Sequence, residues 1–120
     1  HIPALRVPTP AGDVYHSYYK YYAFIPPEAL KSGWDRDKVM LAISAEGIPC
    51  SVGSCSEIYL EKAFEGLRPA ERLKVAKELG ETSLMFLVHP TLSEEDIDDT
   101  CRAVEKVLAV AVRPSIRRAA

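Results

Sequence analysis

The stretch 83–111, SLMFLVHPTLSEEDIDDTCRAVEKVLAVA, carries the pattern that decides the fold. Leu84 to Val88 is a five-residue apolar run, too short for a helix and the right length for a buried strand. His89-Pro90 ends it, because proline cannot donate to a ladder. Ser93, followed by Glu94, Glu95 and Asp96, then sets a capping hydroxyl and three acids where a helix begins, favourable to its dipole. Ile97, Cys101, Val104, Leu108 and Ala111 recur at alternating spacings of four and three and so share one face, predicted to be buried. Asp98, Asp99, Arg102, Glu105 and Lys106 fill the outer face. A buried strand followed by an amphipathic helix is the unit of a sheet covered on one side.

Upstream segments supply the partners. Tyr15 to Ile25 holds five of the six tyrosines and is stopped by Pro26-Pro27, which predicts a strand. Its alternation puts His16, Tyr18, Lys20, Tyr22 and Phe24 on one face and Tyr15, Ser17, Tyr19, Tyr21 and Ala23 on the other. With tyrosines on both, the strand is expected to have protein on both sides or one face toward a polar cleft. Asp35 is an N-cap for a helix over Arg36 to Glu46, Gly47 suits the left-handed position after it, and Ile48 then reaches Ile43. Pro49 to Ser54 reads as a second strand, and Ser56 as the cap of a short helix over Glu57 to Phe64. A further helix, Pro69 to Glu81, is expected to bury Leu73, Ala76 and Leu79. The order β-α-β-α-α-β-α predicts an α+β fold: a small two-layer domain of about three mainly antiparallel strands with helices on one face.

Residues 1–14, with Pro3, Pro8, Pro10 and Gly12, read as an extended arm from a preceding domain. Residues 15–112 form the domain, and 113–120 a flexible basic tail. At 120 residues there is room for one core and not two. An apolar fraction of 48% with 27% charged residues is that of a globular chain. A net charge of −2 argues against a nucleic-acid partner, whose phosphates call for a basic surface. The longest apolar runs, of five and six residues, fall far short of the about 20 that span a membrane. Cys50, Cys55 and Cys101 cannot all pair, which fits a reduced, cytoplasmic setting. The chain starts at His1 without an initiator Met or a signal-peptide pattern, so we expect a piece of something longer.

Few residues have the spacing that chemistry needs. His16, His89 and the three cysteines are too scattered for a metal site, and Cys50 and Cys55 lack redox spacing; buried thiols are expected, Cys101 above all. Cys55 with His89 as a nucleophile pair matches no local signature. Ser51 to Ser56 offers three hydroxyls, Gly53 and a helix start, which either bind an anion or make an ordinary β-α connection with a serine cap. Lys20, flanked by Tyr18, Tyr19, Tyr21 and Tyr22, is either a functional amine or a stem lying along aromatic rings with its head in water. His89, at a strand end, points into a cleft or serves a structural bond.

Three segments in order make a stronger statement. Tyr-His-x-Tyr-Tyr-Lys-Tyr-Tyr (Tyr15 to Tyr22), the stretch Gly47 to Phe64, and Ser83 to Ile97 together resemble the C-terminal domain of DegT/StrS-type aminotransferases, over about residues 5 to 112. The resemblance implies the C-terminal lobe of a fold-type-I pyridoxal-phosphate transferase, acting on nucleotide-linked keto sugars with an amino-acid amino donor. It also implies that the N-terminal domain, outside this chain, holds pyridoxal phosphate on a lysine. None of Lys20, Lys31, Lys38, Lys62, Lys74, Lys77 or Lys106 sits in a matching motif, so the isolated chain is expected to be inactive. Where the family commonly reads His-Tyr-Pro-Pro with a later His, this chain has Gly53, Ser54, Cys55 and Ser56, with Tyr59 near the later His. That departure resembles a subgroup of surface-polysaccharide pathways. His89-Pro90 matches the strand-end His-Pro of the family. The implied substrate contacts are His16, Ser54, Tyr59 and His89, and the implied full-length assembly is a homodimer. The alternative reading is a freestanding, non-catalytic ligand-binding or regulatory module of the same fold.

Overall fold

Helix formation near the C-terminus starts from a reciprocal pair of bonds: Ser93 Oγ accepts from Asp96 N–H at 3.2 Å, and Asp96 Oδ2 accepts from Ser93 N–H at 2.8 Å. This capping box opens α3 (Glu94–Ala111), and the Ser93 bonds hold the Asp96 carboxyl below its ordinary range. Asp35 does the same at α1 (Arg36–Ala45), where its carboxylate accepts from Lys38 N–H at 2.7 Å. Gly47 closes that helix with φ +90°, its N–H bonded to Ser44 O at 3.0 Å. The computed structural model describes residue 2 and residues 4–114. The remaining described elements are β1 (Lys20–Phe24), β2 (Cys50–Ser51), α2 (Lys74–Thr82), β3 (Ser83–Leu87) and 3-10 turns at Pro27–Ala29, Ile58–Leu60 and Lys62–Leu67.

The strands form one antiparallel sheet in the order β1-β3-β2, with Tyr22 opposite Met85 and Cys50 opposite Phe86. Ala23 and Ile25 from the first strand segment and Leu84 and Phe86 from β3 form a core with Val39 and Ile43 of α1 and Val104, Val107, Leu108 and Ala111 of α3. Ile48 packs against it, as the Gly47 ending requires. The α+β architecture, with three antiparallel strands and helices on one face, is therefore as expected. By alternation, Lys20, Tyr22, Phe24, Met85 and Leu87 lie on the opposite face. Arg6 lies along the outer edge of β1, exchanging backbone bonds with Phe24 at 2.9 and 2.8 Å, and stacks its guanidinium 4.4 Å from the Phe24 ring centroid. Arg36 ties the helix layer to the end of the sheet, donating to Gly80 O at 3.1 Å and Ser83 O at 2.9 Å.

Several boundaries differ from the sequence reading. The tyrosine strand begins at Lys20 and not at Tyr15, because its partner β3 stops at Leu87, ahead of the His89–Leu92 turn. Tyr18 also sits at φ +48°, with its N–H given to His16 Nδ1 at 2.9 Å, a local bond that competes with a ladder. Two 3-10 turns replace the helix expected over Glu57 to Phe64, since Glu61 between them is extended. Ser56 lies against Gly80 and caps nothing. The helix expected from Pro69 starts at Lys74, leaving Leu73 51% exposed where burial was expected. Cys101 is exposed as well, and Ile97 is 53% exposed, because only the C-terminal half of α3 meets the sheet layer. Of the expected tail 113–120, residues 115–120 lie outside the described residues, and Arg113 bonds Ala29 O at 3.0 Å through its N–H and Leu30 O at 2.7 Å through Nε.

Ile43 is fully buried between the layers and Leu41, two positions away, is 63% exposed. Ile43→Ala is expected to lower unfolding free energy by about 2–5 kcal/mol, and Leu41→Ala by less than about 0.5 kcal/mol, as measured by urea denaturation.

Candidate functional site

On the sheet face away from the helices, even-numbered residues of β1 meet the arm. Val14, His16, Tyr18, Lys20 and Tyr22 line a groove of about 300 Å³ whose other wall is Pro8 to Ala11. None of the lining residues is acidic, so Lys20 is the one charged side chain among the residues lining the groove, and His16 adds a polar ring. The His16 and Tyr18 rings lie with centroids 4.3 Å apart and planes tilted by 50°, and the Tyr18 and Tyr21 rings at 5.4 Å, tilted by 41°. Because His16 Nδ1 accepts from Tyr18 N–H, the neutral ring keeps its proton on Nε2, ready to donate. The Lys20 ammonium lies 5.4 Å from the Tyr19 ring centroid, the aromatic-stem arrangement rather than a buried amine.

Tyr22 joins this groove to the loop after β2. Its hydroxyl accepts from Ser54 N–H at 2.9 Å and donates to Ser54 Oγ at 3.1 Å. Those Ser54 bonds, with the Lys20 charge nearby, lower the phenol below its ordinary value against a smaller opposing effect of burial. The loop reaches the ring because Gly53 has no side chain: its φ is +84°, and a β-carbon there would stand 2.6 Å from the hydroxyl and 2.8 Å from Cζ of Tyr22. Gly53 N–H is held by Ser51 Oγ at 3.2 Å, and Ser83 Oγ donates to Val52 O at 2.8 Å. The serines of this stretch therefore fasten a loop to the sheet.

His16 and Ser54 thus belong to one constellation, linked through Tyr22. The other two candidate residues lie elsewhere. Tyr59 donates to Glu57 Oε1 at 2.6 Å and accepts from Leu73 N–H at 3.0 Å. Arg72 Nε donates to the same Glu57 oxygen at 2.6 Å, and these hydrogen bonds, Arg72 first, bring the Glu57 carboxyl down to about 2. His89 bonds the Thr91 hydroxyl at 2.7 Å in an exposed turn. It leaves the sheet at the end where Tyr18 enters, since Lys20 pairs with Leu87, but it does not line the groove. Sequence reasoning named Gly53 in the serine run and Tyr22 on the His16 face, but not the bonds that join them. The signal was present in their types, an even-numbered aromatic on the tyrosine strand and a glycine inside a serine run.

Among the described residues no cluster of His, Cys, Asp and Glu is arranged to hold a metal ion. All three cysteines are free thiols. Burial pushes Cys50 up to about 11, leaving it unreactive, and Cys55 Sγ meets Glu61 Oε1 at 3.6 Å rather than a histidine. A second groove, of about 530 Å³, lies between the end of α1 and the start of α3; its Lys106 is paired with Glu46 at 2.6 Å and its Arg102 with Asp99. Among the described residues no helix is long and apolar enough to cross a membrane.

No family model and no curated protein sequence matches the chain. Among solved structures, the aminotransferase from Psychrobacter cryohalolentis superimposes with a TM-score of 0.76 at 50% identity, over 86% of this chain and 25% of that one. The chain matches a fragment of an aminotransferase. A second aminotransferase, TlmJ from Streptoalloteichus hindustanus, shares the fold at 22% identity with a TM-score of 0.73, over 90% of this chain and 27% of that one. The chain thus spans about a quarter of the length of the aminotransferases it resembles.

Two outcomes follow from the site. Gly53→Ala is expected to cost about 2–4 kcal/mol by urea denaturation, positive φ and overlap with Tyr22 combining. Gly47→Ala, at a similar φ but with open space around it, is expected to cost about 1 kcal/mol. The folded Glu57 carboxyl lies at about 2 against 4.5 when unperturbed, so its stabilising effect is full above pH 4.5 and is lost as pH falls toward 2. Amide exchange at Leu73, corrected for the intrinsic pH dependence, is expected to lose protection over that window, and Glu57→Gln to abolish the change.

Proposed function

We propose that the chain is the C-terminal domain of a DegT/StrS-type, pyridoxal-phosphate-dependent aminotransferase that acts on nucleotide-linked keto sugars. In that reading it closes one side of an active site whose cofactor sits in a larger domain, and contacts substrate through the groove that His16 lines and the Ser54 loop joined to it. The observation that carries it is 50% identity to an aminotransferase across 86% of the chain, with the groove and its Tyr22–Ser54 link on the face free of helices.

The residues present do not fit the cofactor itself. The groove offers Lys20 but none of its lining residues is a carboxylate for a pyridine nitrogen. The Nζ atoms of Lys31, Lys38 and Lys106 are engaged with Val110 O, Gly33 O and Glu46. No chemical step is therefore routed through this chain. Its own contribution is binding and orientation. Nε2–H of His16 and the Lys20 ammonium donate to acceptor-rich substrate such as hydroxyls and phosphates, the tyrosine rings exclude water, and Tyr22 holds the Ser54 loop in register with the sheet.

A second reading, a freestanding binding module, is favoured by the self-contained core beneath α1 and α3. One experiment separates them. In a chimera, this chain replaces the matching quarter of the Psychrobacter cryohalolentis aminotransferase. The chimera is expected to bind pyridoxal phosphate and transaminate the parent enzyme's substrate, while the isolated chain forms no stoichiometric borohydride-trappable lysine adduct. A stoichiometric adduct on the isolated chain, or a cofactor-loaded chimera without transamination, overturns the proposal.

A further inference from the structure

Between Glu57 and Val75 the chain keeps a defined shape without a core of its own. Ile58, Leu60, Phe64, Leu67, Leu73 and Val75 are 37–79% exposed, and neither 3-10 turn buries a residue. What holds the segment is polar. Glu57 gathers Tyr59 and Arg72, Tyr59 takes Leu73 N–H, and Arg68 donates to Leu60 O at 2.7 Å. These bonds shape the backbone while leaving six apolar side chains in water. Single exposed apolar residues are ordinary, but six within nineteen positions of one segment are a concentration that a covering partner would explain. The chain as a whole exposes 8449 Å², about 30% more than the roughly 6,500 Å² expected for a folded monomer of 13.3 kDa. Its radius of gyration, 15.9 Å, exceeds the about 14 Å of a compact domain of this length.

We propose that this clipped segment, together with the helix-free face of the sheet, is the docking surface for the rest of the aminotransferase polypeptide. That partner is the three quarters of the fold that this chain does not match in its Psychrobacter neighbour. The inference rests on the reading of the chain as one domain of a larger enzyme, and it adds which face is covered. Three observations favour this occupant. The segment continues from the helix-free face through the Ser54–Tyr22 bonds and the Ser56–Gly80 contact. The arm that leads into the domain lies on that same face, with Arg6 on Phe24. The helix side, by contrast, is already closed over the core, and its exposed apolar residues, Leu41 on α1 and Ile97 and Val110 on α3, are spread along two helices. Glu61, Lys62, Glu65, Arg68 and Glu71 alternate in sign along the segment, so its charges do not make a one-sign surface.

Thiol labelling tests the inference. In a Cys55→Ser, Cys101→Ser background, Leu67→Cys and Val110→Cys are each compared between the isolated chain and the chimera described above, with a maleimide as probe. Leu67→Cys is expected to react about tenfold more slowly in the chimera, with Val110→Cys unchanged. Equal rates for Leu67→Cys in a folded chimera overturn the inference. So does slowing that already develops in the isolated chain as its concentration rises, which assigns the surface to a second copy. A measurement on the isolated chain needs no chimera: Leu67→Lys should leave the urea midpoint unchanged, and a lowered midpoint shows that Leu67 packs within this domain. Labelling requires no turnover. A chimera that protects Leu67→Cys without transaminating sinks the catalytic reading alone, and one that transaminates with Leu67→Cys freely labelled sinks the docking inference alone.

Discussion

The structure depends on a one-sided seal: the last two turns of α3, with α1 beside them, close over Ala23, Ile25, Leu84 and Phe86. Burying that many apolar side chains at about 1.5–3 kcal/mol each stabilises the sheet that carries everything else. Because both packed helices sit on one face, the alternation of β1 and β3 forces Lys20, Tyr22, Phe24, Met85 and Leu87 to the other. The asymmetry of the core and the existence of a helix-free face are the same fact.

On that face the arrangement is set by close approach rather than by depth. Gly53 lets backbone come within hydrogen-bonding reach of a phenol, and Tyr22 answers with one bond accepted and one donated. Position is thereby transmitted from β1 to the loop after β2 without a rigid element between them. Beside it, Tyr18 stands in a left-handed conformation, with its N–H given to His16 Nδ1 and its ring tilted against that of His16. Strain of this kind persists only where neighbours over-determine it, and such places are commonly binding sites.

Much of the scaffold was legible in the sequence because its signals are local. Asp35, Gly47 and Ser93 act on backbone within four residues of themselves, and Leu84 to Phe86 is apolar whatever surrounds it. The failures came where distant partners decide. Tyr15 to Tyr19 has strand composition, but β3 is too short to pair with it. Leu73 and Cys101 fit an apolar stripe, yet no layer of this chain reaches them. Glu57, Tyr59 and Arg72 are fifteen residues apart end to end, so a network that overrides helix propensity left no periodic trace. For the site, His16 and Ser54 came from resemblance, whereas the tyrosine that joins them needed the strand register.

The pairing of Arg6 with Phe24 has a consequence for the domain as a separate object. A sheet of three strands ordinarily leaves two rows of unsatisfied amides along its rims, which invite strands from other molecules. Here one rim carries a residue of the arm held by two backbone hydrogen bonds, topped by a cation on an aromatic ring, and the opposite rim, β2, is only two residues long. The rims of the described sheet are thus short: the arm occupies one at its Phe24 end and the other ends after two residues, which limits the length of strand a neighbouring molecule could add.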